Sequence, residues 1–430
     1  MKKGFDLNAI DMNSLLGEME CPSCGKVHTC NMKKVVIGRG AVEVVPEIAG
    51  AYSHVVLVCD ENTYKVCGHK VECLISGKVD GLVMFSGATL LVPNEDAICA
   101  VESKISADTD LIVGVGSGVI NDLCKHVSQV HGLPYFIVAT APSMDGYASK
   151  GAAMILGGMK VTTNAAVPMA IVADTAVLKN APKEMLAAGY GDIIGKYSCL
   201  NDWRLSAFVN GESLCEYIYN LTMDTVQAIA PMGRAIMARD ERAVEQLMRA
   251  LVIVGIAMAY MGNSRPASGS EHHLSHYFEI VGLLKGEPYY CHGTDVAYST
   301  YVTAQLRKEL IAREKPVFRS FDQAEWEQNI RRVYAGGDNA TADGIIALQK
   351  KLGWIFEDKT DVYSAKWDEI RAVLKDSPSP EEVEEMLGSV DLPIADFEAF
   401  YSAEKRHDAL YYAKDLKDRY TVLWLYYAVK

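Results

Sequence analysis

Three stretches in the second half of this 430-residue sequence collect side chains that bind metals: Gly189-Tyr-Gly-Asp192-Ile-Ile-Gly-Lys196, Gly269-Ser-Glu-His272-His-Leu-Ser-His276 and Cys291-His292-Gly293. His272 and His276 are four apart, so a helix puts both imidazoles on one face, and Asp192 and His292 offer two more donors from neighbouring segments. Two imidazoles and a carboxylate with an open position suit Zn2+, Fe2+ or Ni2+. A zinc peptidase is excluded, because that chemistry needs H-E-x-x-H and His273 stands where the glutamate base belongs. A lone helical histidine is more often a hydrogen-bonded structural group, and Asp192 with Lys196 also reads as an i,i+4 surface ion pair. Four of the ten histidines fall within residues 271–293, and that density favours a metal.

A second chemistry comes from Gly114-Val-Gly116-Ser117-Gly118-Val119-Ile120-Asn121-Asp122, which follows the apolar run Asp110-Leu-Ile-Val and leads into a helix start. Glycines at a strand-to-helix turn let the backbone approach a phosphate, and the helix N-terminus receives the anion on its N–H groups. A tight turn needing positive φ would use the same glycines. The usual dinucleotide fingerprint fails here: Val119 takes the place of its last glycine, and the next strand ends in Val138-Ala139-Thr140 with no acid. An acid closes an earlier strand instead. Asp60 of VVLVCD is suited to hold a ribose hydroxyl and repel a 2′-phosphate, or to cap the next helix. Near the N-terminus, Cys21-Pro-Ser-Cys24-Gly-Lys-Val-His28-Thr-Cys30 holds one C-x-x-C. Lacking a second, it reads as a loop near solvent with incidental cysteines rather than a structural Zn2+ site.

Two architectures are needed to position these groups. Up to about residue 180 the chain repeats short β-rich apolar runs, at 55–60, 111–118, 135–143 and 169–178, separated by helix-length segments, as parallel strands buried between helices do. After Pro182 the apolar spacing and segment lengths are helical. Lys179-Asn-Ala-Pro182 supplies turn chemistry and a helix-opening proline, so residues 1–180 are expected to form an α/β dinucleotide-binding domain and 181–430 an α-helical metal- and substrate-binding domain. Ser377-Pro-Ser-Pro380 followed by two glutamates marks a loop and helix start inside the helical part. The net charge of −13 disfavours nucleic acid or an anionic membrane as partner. The apolar run Leu251–Gly262 falls short of the roughly 20 residues that span a bilayer and is expected to be a buried helix. The N-terminal residues lack the apolar stretch of a signal peptide, and most of the eleven cysteines stand singly in apolar runs, so a reducing cytoplasmic compartment is expected.

Taken together, GVGSGVIND, VATAPSMDGYAS, GYGDIIGKY, SRPASGSEHHLSH and the HG at 292–293 resemble the sn-glycerol-1-phosphate dehydrogenases, within the superfamily of iron-containing alcohol dehydrogenases and dehydroquinate synthases. The likeness runs from Val35 to His292 and resumes at Arg419-Tyr-Thr-Val-Leu. It implies a dehydroquinate synthase-like fold: an N-terminal parallel-sheet domain, an all-α C-terminal domain and an active site in the cleft between them. It implies Asp192, His272 and His292 as metal ligands, with Zn2+ or Ni2+ bound and Fe2+ as the alternative. It implies Asp145, Asp192 and His276 at the substrate, and Gly116 to Asp122, Thr140, Ala141, Pro142, Ser143 and Ser149 at the dinucleotide. The implied reaction reduces dihydroxyacetone phosphate to sn-glycerol 1-phosphate with NADH or NADPH, Asp192 and His276 serving catalysis. Asp60 inclines the choice to NAD. For the substrate phosphate, Arg265 is the first choice, with Lys160 and Lys196 as the other cations near the motifs. A glycerol dehydrogenase, a dehydroquinate synthase-like cyclase and a dinucleotide-binding pseudoenzyme are the rival readings. The expected partner is a small phosphorylated triose, and a homo-oligomer, favouring a dimer, is expected.

Overall fold

Each of the four apolar runs becomes an inner strand of one parallel sheet. The computed structural model of the chain describes residues 6–157, 159–336 and 339–429. Among them are ten strands: β1 (Gly17–Glu20), β2 (Val27–Cys30), β3 (Lys34–Gly38), β4 (Val55–Asp60), β5 (Val79–Phe85), β6 (Leu111–Gly116), β7 (Tyr135–Ala139), β8 (Gly151–Leu156), β9 (Met159–Asn164) and β10 (Ala170–Asp174). Six of them pair in the order β3-β10-β7-β6-β4-β5, every neighbour parallel. β6, β7 and β10 are buried throughout and β4 up to Cys59, as continuous apolar runs require. The edge strands β3 and β5 are only partly buried, and Asp80 and Gly81 interrupt the apolar run of β5. The hairpins β1–β2 and β8–β9 are antiparallel and stand apart from the sheet.

The strand order creates a crevice. The chain lays down β4 and then β5 on one side, returns past β4 to β6, and builds β7 and β10 on the other side. Direction therefore reverses between β4 and β6, and the carboxyl ends of strands at such a reversal leave room for a ligand. Parallel register pairs Val58 with Gly114, so Asp60 and Gly116, each two residues on, stand level at that end.

The helices that carry the site are α1 (Gly118–His131), α2 (Lys183–Ile194), α3 (Lys196–Asn210), α4 (Glu241–Met261), α5 (Ser270–Lys285) and α6 (His292–Ala312). Contacts divide the chain into two compact units, residues 1–193 with 220–264, and residues 194–219 with 265–430. A single crossing near residue 180 is therefore corrected: α2 up to Ile193 and all of α4 belong with the sheet. α4 is long and apolar enough for a bilayer span, yet 83% of that window is buried inside the protein. Its Gly255 sits against Ala148 and the Asp145 carbonyl, where a Cβ would come within 2.9 Å of that oxygen. Gly189 of α2 approaches the chain more closely still; a Cβ there would lie 1.8 Å from the Pro142 carbonyl oxygen. These two contacts fix the segment after β7 against two helices. In the second unit the core is aromatic, with Phe278 stacked on Tyr401 at 4.1 Å and on a face of α5 away from the histidines.

Candidate active site

In the sheet unit, the turn after β6 leads straight into α1, whose N-cap Ser117 makes no side-chain cap bond. Gly116 is needed because a Cβ would strike Ile120, which lies beneath the turn. Ser117, Gly118 and Val119 are partly exposed, whereas Ile120 and Asn121 are buried. The turn thus has the backbone approach and open N–H groups that a phosphate needs. Asp60 caps the next helical turn: its Oδ1 accepts from the backbone of Asn62 and Thr63, both at 2.8 Å. The capping reading is therefore realised, and the ribose reading is left to the other carboxylate oxygen.

Asp122 faces the hairpin rather than the crevice, its Oδ2 accepting from Ala153 N–H at 3.2 Å. One turn on, Lys125 is fully buried and donates to the carbonyls of Gly146 (2.8 Å) and Gly151 (2.9 Å) and to Ser149 Oγ (3.2 Å). Burial pushes the Lys125 ammonium down and the Asp122 carboxyl up, each partly offset by the other. This pair pins Ser149 and its loop to α1. Thr140 N–H donates to the Gly116 carbonyl at 3.0 Å, and Tyr147 hydroxyl donates to the Ala141 carbonyl at 2.7 Å, so Thr140, Ala141, Pro142 and Ser143 form one braced segment beside the turn. The same segment holds the first metal candidate: Asp145 N–H donates to Asp192 Oδ2 at 2.9 Å, and Asp192 is fully buried on α2.

In the second unit, α5 brings His272 and His276 to one face as their spacing predicts, with ring centroids 6.1 Å apart. His292, the first residue of α6, joins them, 5.1 Å from His272 and 5.5 Å from His276. His272 and His292 each offer a ring nitrogen within 4.8 Å of the other's. His272 Nδ1 lies 2.7 Å from Glu271 Oε1. A carboxylate only accepts, so Nδ1 carries the proton and Nε2 the lone pair. Ser275 Oγ lies 3.4 Å from both the carbonyl and Nδ1 of His292 and holds that residue beside α5. Sequence reasoning missed Glu271, which orients His272, although it adjoins the histidine. It also missed Asp202 on α3. Gly269 begins α5 without a side chain to cap it, and Asp202 Oδ2 supplies the cap, accepting from Ser270 N–H at 2.7 Å. Asp202 is itself held by Arg307 at 2.8 Å.

The cations sit differently from one another. Arg265 is buried, one nitrogen donating to the Asp202 and Tyr420 carbonyls (both 3.1 Å) and to Glu212 Oε2 (2.9 Å). Lys196 is fully buried and donates to the Ala267 carbonyl at 3.1 Å, so it is no surface ion pair, and nor is the fully buried Asp192. Lys160 is on β9, near enough to Asp122 to favour its carboxylate. Two cations that the motif reading did not single out for phosphate converge on Ser268: Lys417 Nζ donates to its hydroxyl at 3.4 Å and Arg419 to its carbonyl. Burial and the neighbouring Arg265 push the Arg419 guanidinium down to about 10. His273, behind them, is held well below the usual histidine range by burial and by these cations.

Comparison with known proteins identifies the family. Residues 36–182 match the model of the iron-containing alcohol dehydrogenase family. A glycerol-1-phosphate dehydrogenase [NAD(P)+] of Halalkalibacterium halodurans is 35% identical over 72% of this chain and 80% of its own length. The enzyme of the same name from Bacillus licheniformis is 30% identical over 93% of this chain and 90% of its own. Among solved structures, an archaeal halo-thermophilic alcohol dehydrogenase from a Red Sea brine pool superposes with a TM-score of 0.59 and 14% identity, over 93% of this chain and 98% of that one. At that identity the likeness concerns the fold.

Proposed function

The chain belongs to the glycerol-1-phosphate dehydrogenase family, and from that premise we propose that it interconverts dihydroxyacetone phosphate and sn-glycerol 1-phosphate by hydride transfer with NAD(H) or NADP(H). The observation that carries the reading is the histidine cluster, in which Glu271 holds His272 with its Nε2 lone pair available. A carboxylate behind a ligating imidazole is the usual outer support of a metal site. Asp192, His272 and His292 are the proposed ligands, and this donor set of one carboxylate and two imidazoles fits Zn2+ or Ni2+. When bound, the ion supplies Lewis acidity at the substrate oxygen and the dinucleotide supplies or accepts the hydride.

The chain's own residues do the rest. Asp145 orients Asp192 through its backbone N–H, and its carboxyl is proposed to hold a substrate hydroxyl. His276, one helical turn beyond His272, is proposed to move the proton of the reacting hydroxyl. The glycine turn and the start of α1 receive the dinucleotide phosphates, Lys160 adds charge there, and the second oxygen of Asp60 takes a ribose hydroxyl, which favours NAD(H). Lys417 and Arg419, with Arg265 behind them, are proposed to grip the substrate phosphate. None of the eleven cysteines is joined in a disulfide, which suits a reducing cytoplasm, and a homodimer is proposed. The test is NADH oxidation by dihydroxyacetone phosphate with chiral analysis of the product. sn-Glycerol 1-phosphate supports the assignment; its mirror image, or no turnover, refutes it.

A further inference from the structure

The N-terminal cysteines, read from sequence as incidental, are gathered by the β1–β2 hairpin. Met19 pairs with His28 and Glu20 with Val27, and the loop between them closes with Cys21 N–H donating to the Lys26 carbonyl (2.9 Å) and Gly25 N–H donating to the Cys21 carbonyl (3.0 Å). Gly25 takes the left-handed conformation this turn needs, at φ +66°. The turn brings Cys24 back beside His28, and donor atoms of Cys21, Cys24 and His28 all lie within 4.8 Å of one another. Cys21 and His28 are buried while Cys24 is partly exposed, so the group is not a solvent-washed loop. Cys30, the last residue of the motif, lies outside the group.

His28 is already set as a ligand. Its Nδ1 lies 3.1 Å from the Tyr260 carbonyl of α4, which only accepts, so Nδ1 carries the proton and Nε2 the lone pair. Nε2 is 3.4 Å from Cys24 Sγ. Sulfur at about 2.3 Å and nitrogen at about 2.05 Å from one tetrahedral ion stand about 3.6 Å apart, so the observed spacing is close to that of two ligands sharing a zinc. A backbone carbonyl on the far ring nitrogen is the outer support such a histidine normally has. We propose that Cys21, Cys24 and His28 bind a structural Zn2+, distinct from the metal of the active site, that closes the N-terminal hairpin and fixes His28 against the Tyr260 carbonyl of α4. On binding, both thiols release their protons to solvent and the imidazole stays neutral. The fastening complements contacts already present, where Tyr260 hydroxyl donates to the Leu15 carbonyl at 2.6 Å and Arg249 to the Ile10 carbonyl at 3.3 Å.

The competing account of the 3.4 Å contact is a plain thiol-to-imidazole hydrogen bond, and cobalt separates the two. The full-length chain is stripped of metal, loaded with Co2+ and scanned in the near ultraviolet for thiolate-to-cobalt charge transfer, which an Asp-His-His site cannot give. The band should appear in the wild type and in His272→Ala, and vanish in the Cys21→Ser/Cys24→Ser double variant. Metal analysis should then count one fewer zinc per chain in the double variant than in the wild type. Persistence of the band in His272→Ala keeps this result separate from failure of the active-site assignment. A wild type without the band, or equal zinc in wild type and double variant, overturns the proposal. Should the double variant fail to fold, the wild-type and His272→Ala spectra decide alone.

Discussion

Glu271→Gln isolates what a buried carboxylate does for a metal ligand beside it. Glu271 Oε1 accepts from Gly269 N–H at 2.8 Å and from His272 Nδ1 at 2.7 Å. Glutamine keeps the shape and a carbonyl acceptor for both donors, removes the charge and puts a neutral amide nitrogen in place of the second oxygen. A charge-assisted bond is about twice as strong as a neutral one, at about 1.5–3 kcal/mol, so the exchange should forfeit about 1–2 kcal/mol of support for the charged, metal-bound state of His272. At 1.36 kcal/mol per tenfold, that is about a 5–30-fold weaker metal site, near the range found when such outer partners are changed. Burial disfavours the Glu271 charge, so the metal-free variant should unfold no earlier than the metal-free wild type. The assay is competition for Zn2+ against a chromophoric chelator, run in the Cys21→Ser/Cys24→Ser background so that one site is read. Unchanged affinity would refute the reasoning, and so would a loss of affinity matched by a loss of stability in the metal-free protein.

Three further expectations follow from polar groups held by several partners. Lys125→Met deprives the Gly146 and Gly151 carbonyls and Ser149 Oγ of a common donor and should cost about 2–4 kcal/mol in urea unfolding while weakening NADH binding; a cost below about 1 kcal/mol contradicts it. Asp202→Ala leaves Arg307 buried without its carboxylate and α5 without its borrowed cap, a loss of about 3–5 kcal/mol by the same measurement; a near-neutral variant would show that the cap is dispensable. Glu241 at the start of α4 is held down to about 2 by Thr175, Lys179 and Arg39. A depressed carboxyl stabilises above its unfolded value of about 4.5 and loses that contribution as pH falls towards 2. Glu241→Gln should therefore flatten the acid limb of the stability profile there, and an unaltered limb argues against the contact.

Which elements could be read from sequence follows from how each is buried. β4, β6, β7 and β10 are sheathed on both faces and so are written as unbroken apolar runs. The edge strands β3 and β5 are half-buried, β8 is buried only at Ala152 and Met154 and β9 is largely polar, so none of them carries that signal. The boundary near residue 180 marks a change of secondary structure, but α4 packs on the sheet unit because its apolar surface is matched there, which periodicity does not encode. Asp192, His272, His276 and His292 announced themselves by donor type and spacing. Their supports did not: Asp202 is 68 residues from Ser270, and Lys417 and Arg419 are about 150 from Ser268. Arg265 lies close to His272 in sequence, but the engagement of its guanidinium by Glu212 and by the carbonyls of Asp202 and Tyr420 comes from residues 53, 63 and 155 positions away and could not be read from proximity.

The claim that this is an enzyme of a phosphorylated triose is tested most directly by comparing kcat/KM for dihydroxyacetone phosphate with that for dihydroxyacetone, in the wild type and in Arg419→Ala. Two charge-assisted contacts from Lys417 and Arg419 at about 1.5–3 kcal/mol each predict a preference for the phosphorylated ketone on the order of a hundredfold or more. Removing Arg419 should lower the rate constant for the phosphorylated substrate at least about tenfold and leave the weak rate on dihydroxyacetone nearly unchanged. A wild type indifferent to the phosphate, or equal losses on both substrates in the variant, would contradict the account.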